Sequence, residues 1–172
     1  MRFVRAVRED IDALHALIES AYRGESAKRG WTHEADLLGG QRTDKVALRE
    51  IIAADDQVIL LARDRKLLAG CVQLSNIGNA LAYLGLLTVD PYLQAAGLGR
   101  ELLAQSEQFV REHWAAEAIE MTVIRQRADL IAYYERRGYQ LTGERRPFPH
   151  GDPRFGLPKT AELEFVVLRK PV

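Results

Sequence analysis

Between residues 84 and 100 the chain reads LGLLTVDPYLQAAGLGR. An apolar run of strand length gives way to a proline turn, then to a glycine-punctuated loop that opens directly into a helix. A strand and a helix therefore meet head to tail within one domain. The junction also puts unpaired backbone N–H groups at a helix N-terminus, where glycines allow close approach. Such a place favours a phosphate-bearing ligand.

The pattern on either side completes the outline. Phe3 and Val4 suit a short first strand. Asp10 then reads as the cap of a helix whose Ile11, Leu14, Leu17, Ile18 and Ala21 recur at the helical period. Residues 23–43 are polar and glycine-punctuated around Trp31, a long loop of the functional or mobile sort. A helix over 44–54 precedes three apolar runs, VILLA, LLAGCVQLS and LAYLGLLTV, which read as an antiparallel meander.

From Gly97 the period becomes helical, with Leu98, Leu102, Leu103, Phe109 and Val110 on one face as far as His113. A strand at 119–124 comes next, then a helix over 128–137 closed by Gly138. YQLTGE is a further strand. A proline-rich basic loop, RRPFPHGDPRFGLPK, separates it from the last strand, AELEFVVLRK. Neither a repeat nor a linker divides residues 1–172, so the expectation is one α+β domain.

Composition narrows the function. The 172 residues balance 24 Lys and Arg against 24 Asp and Glu, so no basic field argues for nucleic acid or an anionic membrane. No apolar run approaches the roughly 20 residues of a membrane span, and MRFVRAVRED lacks the apolar stretch of a secretory signal. A cytoplasmic protein is expected. The single Cys71 excludes an internal disulfide and a cysteine-cluster metal site. It lies in an apolar strand and reads as a buried thiol.

As a binding device, Gln94-Ala95-Ala96-Gly97-Leu98-Gly99 offers backbone amides to a diphosphate with only small side chains in the way, and Gln94 and Arg100 add side-chain donors. It lacks both the Lys-Ser/Thr of a P-loop and the full spacing of a dinucleotide fingerprint. A ligand held by amides, without an obligatory metal, fits it best.

Gln94-x-x-Gly97-x-Gly99, after Val89-Asp90-Pro91, resembles the acyl-CoA signature Q/R-x-x-G-x-G/A of the GCN5-related N-acetyltransferases. The run Leu130-Ile131-Ala132-Tyr133-Tyr134-Glu135-Arg136-Arg137-Gly138-Tyr139 is similar to that family's later motif. The resemblance implies one domain with a mixed, mostly antiparallel sheet of six to seven strands and about four helices. It implies a splayed strand at Leu87, Thr88 and Val89 that pairs with pantetheine, and a pyrophosphate cradle from Gln94, Ala95, Ala96, Gly97, Leu98, Gly99 and Arg100. It also implies that Tyr134 protonates the departing thiolate; a phenol near pKa 10 is protonated at neutral pH. Members often carry Asn seven residues before this tyrosine, where this chain has Arg127.

The reaction so implied is direct attack of an amine, on a small molecule or a peptide, upon the thioester of acetyl-CoA. A backbone N–H near Val89 would meet the oxyanion. For the base, Glu120, His33, Glu34, Asp36 and a water relay stand as alternatives, with Glu120 also readable as a solvated strand position. Trp31, His33 and Glu34 lie in the loop where this family builds its acceptor pocket, and are substrate-contact candidates against the alternative of an ordinary surface loop. His150 and the basic loop of Arg145, Arg146 and Arg154 read as solvated, with an anionic acceptor group as the alternative for the arginines. The last strand, with Leu163, Phe165 and Val167 alternating against Glu162 and Glu164, either pairs with a second subunit in a homodimer or closes the sheet. A non-catalytic acyl-CoA-binding sensor or interaction module is the competing function.

Overall fold

The computed structural model describes residues 1–23, 42–149, 156–159 and 163–172, with backbone alone at 38–39. Seven strands form the main sheet: β1 (Arg2–Arg5), β3 (Gln57–Asp64), β4 (Leu67–Asn76), β5 (Leu81–Val89), β6 (Ala118–Ile124), β7 (Gln140–Pro147) and β9 (Glu164–Pro171). Their order across it is β1-β3-β4-β5-β6-β9-β7. Only β5 and β6 are parallel. A separate two-residue ladder joins β2 (Leu38–Gly39) to β8 (Leu157–Pro158). Four α-helices flank the sheet among the described residues: α1 (Ile11–Tyr22), α2 (Lys45–Ala53), α3 (Leu98–Trp114) and α4 (Ala128–Glu135). None is long and apolar enough to cross a membrane.

The two faces of the sheet carry separate cores, because strand side chains alternate. One face packs Val72, Leu74, Leu84, Ile119 and Leu168 against Leu102, Leu103 and Val110 of α3. The other packs Ile59, Leu61, Cys71 and Leu86 against Leu14, Leu17 and Ile18 of α1 and Leu48 of α2. Each such large apolar side chain contributes about 1.5–3 kcal/mol when fully buried. The α1 and α3 stripes are those the helical period predicts.

Three local expectations are corrected. Asp10 does not cap α1. Its carboxylate accepts the Val7 N–H at 2.9 Å and pairs with Arg63, so it ties the turn before α1 to β3. Asp44 does cap α2, accepting the Ala47 N–H at 2.7 Å. The helix α4 stops at Glu135 rather than residue 137, and Gly138 (φ 91) turns the chain after it. Arg145 and Arg146 belong to β7 rather than to a loop.

Glu120 is the largest departure. It is 2% exposed, not solvated. One carboxylate oxygen accepts from Arg146 at 3.0 Å and the other from Arg169 at 2.9 Å. Glu120 thus stitches β6, β9 and β7 together, and both of its oxygens are engaged. The last strand closes the sheet: β9 lies between β6 and β7, antiparallel to both.

Cys71 is fully buried, and burial pushes its thiol up to about 12, only partly offset by a contact with the Thr88 hydroxyl. Because the folded value is raised, the neutral thiol contributes stability that is complete below pH 9 and lost as pH rises toward 12. With thiol reagent at pH 8 the native chain is expected to give no thiol titre, and one thiol per chain once unfolded in guanidinium. A native thiol reacting at the rate of free cysteine would contradict this packing.

Candidate active site

The site begins with a defect in the meander. Cys71 pairs with Thr88 but Gln73 pairs with Gly85, so β5 carries one extra residue opposite β4. Leu86 takes up the bulge at φ 49, its side chain buried among α1 and α2. A bulge bends its strand and re-aims the side chains beyond it. Here β5 also parts from β6: the two pair only from Leu81 to Tyr83, against Ala118 to Glu120. The gap continues past a hydroxyl contact of 2.8 Å between Tyr83 and Thr122.

The end of β5 leads into the glycine loop. Ala95 (φ 70) and Gly97 (φ 86) are both left-handed, with Ala96 between them, an alternation that turns successive N–H groups toward one side. At Ala95 this backbone costs about 1–2 kcal/mol; strain of this kind persists where surrounding structure holds it. The first hydrogen bond of α3 runs from Glu101 N–H to the Gly97 carbonyl at 3.1 Å. The N–H groups just before it are not consumed by the helix.

A cleft of about 420 Å³ lies over this loop. Its lining includes Leu87, Thr88, Val89 and every residue from Gln94 to Arg100, together with Tyr134. The sequence-predicted donor residues are thus gathered in one place. Thr88 is 2% exposed and donates its hydroxyl to the Leu86 carbonyl at 2.8 Å, so it offers the cleft backbone rather than side chain. The far wall comes from α4 and its end. A Cβ at Gly99 would stand 2.9 Å from the Tyr133 hydroxyl, so glycine is what lets that phenol seat against α3. The Arg137 guanidinium lies 3.5 Å over the Tyr133 ring and donates to the Tyr133 carbonyl at 2.8 Å. Its buried Nε has no hydrogen-bond partner among the described residues.

A second cleft, of about 310 Å³, opens on the other side of the splay. Tyr22, Leu87, Arg127, Leu130 and Tyr134 line both. Tyr134 therefore sits where the clefts meet. It is 5% exposed, edge-on to Tyr133 at 5.4 Å and to Tyr139 at 5.9 Å between ring centroids. Tyr139 is itself anchored, donating its hydroxyl to Glu107 of α3 at 3.0 Å. Burial raises the Tyr134 pKa well above the ordinary phenol value, with nearby Arg127 a smaller opposing influence. The phenol is a proton donor throughout the neutral range.

Reading the sequence missed Tyr22. It is the last residue of α1, and its hydroxyl donates to the Leu87 carbonyl at 2.5 Å, on the splayed segment. Nothing in the helical pattern distinguishes it from a core aromatic. Arg127 stands at the N-terminus of α4 and lines both clefts, where the usual asparagine is absent. Glu120 lines neither cleft, and both its oxygens are taken, which removes it as a base. Trp31, His33, Glu34, Asp36, His150 and Arg154 lie outside the described residues.

A family model for the acetyltransferase (GNAT) domain matches residues 21–150, most of the chain and every residue lining the two clefts except Phe165. The chain belongs to the GNAT acetyltransferase family. No curated relative matches it significantly. Solved structures match its fold over nearly full length at low identity. The ribosomal-protein-alanine N-acetyltransferase of Brucella melitensis is 16% identical with a TM-score of 0.72, covering 100% of both chains. The ribosomal-protein-S18-alanine N-acetyltransferase of Escherichia coli is 15% identical with a TM-score of 0.71, covering 99% of this chain and 93% of that one. A Bacillus anthracis structure of the streptothricin acetyltransferase type, solved in complex with acetyl coenzyme A, is 20% identical with a TM-score of 0.59, covering 72% and 67%.

As a GNAT domain the chain carries out acetyl-CoA-dependent acetyl transfer. The first cleft fits that donor on its own geometry. The left-handed residues aim amides at one place, Gly97 adds no side chain beside them, and Arg137 brings a guanidinium with an unused buried N–H.

Proposed function

We propose that this GNAT acetyltransferase moves the acetyl group onto a primary amine of a small molecule or peptide, with Tyr134 as the acid. The observation that carries the reading is the position of Tyr134, lining both clefts at their junction. Residues 94–100 and Arg137 would hold the diphosphate, and the splayed backbone of Leu87 to Val89 would pair with the pantetheine amides. Bound acetyl-CoA supplies a thioester carbonyl already activated toward attack. A backbone N–H near Val89 would face the oxygen that gains charge. The amine nitrogen bonds to the acetyl carbon as the carbon–sulfur bond breaks; Tyr134 gives its proton to the sulfur and recovers one from solvent.

The proton lost by the amine leaves by another route. Among the described residues that line the second cleft there is neither a carboxylate nor an imidazole. The hydroxyls of Tyr83 and Thr122, which line it, are suited to anchoring water for that purpose. The two connected clefts favour turnover over mere sensing of acyl-CoA.

The test is release of free CoA from acetyl-CoA across an amine library, with acetyl-CoA affinity measured by calorimetry on the same material. Amine-dependent CoA release together with micromolar binding is expected. Binding without release for any amine would leave an acyl-CoA sensor instead.

A further inference from the structure

Tyr134 is edge-on to two other phenols, and each of these is fixed by a different device. Tyr133, which lines the donor cleft, lies under the Arg137 guanidinium. Tyr139 is held from behind, by residues that line neither cleft. It is 1% exposed, and its hydroxyl donates to one oxygen of Glu107 at 3.0 Å. Lys170 donates to both oxygens of the same carboxylate at 2.9 Å, and its ammonium lies 5.6 Å from the centroid of the Tyr139 ring. The three residues come from the turn after α4, from α3 and from β9. Gly138 lets them meet. Its left-handed backbone turns the chain after α4, and a Cβ there would stand only 3.3 Å from Lys170 Cε.

An ion pair alone would tie α3 to β9. It has no need of the phenol. A phenylalanine would fill the same core position without a polar atom, whereas a buried tyrosine hydroxyl requires a partner. Burial, and after it the Glu107 carboxylate, raises the Tyr139 pKa, so this hydroxyl stays protonated and donating. The ring is thus fixed at its hydroxyl as well as at its Cα. Its own contact with Tyr134 is double: the rings meet at 5.9 Å and 69°, and the Tyr139 N–H donates to the Tyr134 carbonyl at 3.2 Å. A proton donor works only when its oxygen is held close to the productive geometry by supports that are themselves locked.

Resting on the reading of Tyr134 as the acid, we infer that Tyr139, Glu107 and Lys170 form a brace that positions the Tyr134 phenol at the junction of the clefts. Lys170 orients the carboxylate, the carboxylate fixes the Tyr139 hydroxyl, and the Tyr139 ring sets the tilt of Tyr134. None of the three lines a cleft, so none meets the donor or the acceptor. They are positioning residues.

Turnover is read with acetyl-CoA and the amine that releases CoA fastest in the library above, and kcat is referred to sites counted by the calorimetric stoichiometry of acetyl-CoA. Tyr139→Phe keeps the ring and the Glu107–Lys170 pair and removes only the hydroxyl anchor. Its kcat is expected to fall about tenfold, less than the roughly hundredfold that a misplacement of about 1 Å can cost. Its KM for acetyl-CoA should stay close to wild type. Glu107→Gln, which keeps an oxygen for the Tyr139 hydroxyl, should retain most of the kcat that Tyr139→Phe loses. Combination with Tyr134→Phe decides the route. A residue that acts through Tyr134 has nothing left to position once that proton is gone, so Tyr139→Phe should lower kcat no further in this background.

Unchanged kcat in Tyr139→Phe would overturn the inference and leave Tyr134 standing as the acid. The same loss in both backgrounds, or a loss expressed in KM, would overturn it as well, since either marks Tyr139 as general packing. A kcat as low in Glu107→Gln as in Tyr139→Phe would count against it by assigning the effect to the ion pair. Full kcat in Tyr134→Phe, or no CoA release with any amine, would remove the underlying reading and this inference together.

Discussion

Replacing Gly97 by tryptophan is expected to abolish acetyl-CoA binding without unfolding the domain. Gly97 sits at φ 86, and a Cβ there would find only the Arg100 guanidinium nearby, at 3.7 Å. The new side chain therefore has room, and the room it has is beside the cleft lined by residues 94–100. The backbone penalty of a left-handed non-glycine residue is about 1–2 kcal/mol, a tolerable share of the roughly 5–15 kcal/mol by which a domain is stable. An indole in the cradle blocks the amides physically. The dissociation constant measured by calorimetry should rise at least a hundredfold. Gly97→Ala separates the two effects, since it carries the same strain with little bulk and should lose far less affinity. Unchanged binding in the tryptophan variant would mean that the donor lies elsewhere.

Tyr134→Phe should lower kcat by about a hundredfold or more, the scale of a lost general acid, and leave the KM for acetyl-CoA close to wild type. The ring is held by edge contacts to Tyr133 and Tyr139, which phenylalanine preserves. Only the proton is removed. Because burial raises the phenol's pKa, Tyr134 stays protonated well into the alkaline range, so no alkaline fall in wild-type kcat below pH 10 should originate from it. A kcat reduced less than threefold would sink the assignment. So would a loss expressed in KM, which would mark the residue as packing for the donor.

The boundary between the legible and the hidden parts of this chain is physical. The meander, the start of α3 and the glycine loop are written locally, in side-chain period and glycine spacing; β5 ends at Val89 where the pattern predicts. Glu120 was not legible because its environment is supplied by strands 26 and 49 residues away in sequence, each bringing one arginine. Arg145 and Arg146 looked like a loop because charged residues beside prolines carry no strand period, yet β9 pairs with them at Phe165 and Val166. Tyr22, Arg23 and Arg42 escaped for the same reason. They line the second cleft because separate parts of the chain meet over the splay, which no local motif encodes.

The place of β9 in the middle of the sheet has a consequence during synthesis. On the ribosome, β1 and β3 through β6 can form their meander and crossover as they emerge, since each finds a partner among them. β7 cannot. Its neighbour in the finished sheet is β9, made after it, and until then β6 also presents an unpaired edge. Completing the sheet means inserting a late strand between two waiting ones, a non-local step of the kind that slows folding and leaves exposed strand edges open to misassociation. Glu120 remains without its Arg169 partner for the same interval, so the charge stitch and the sheet close in one late event.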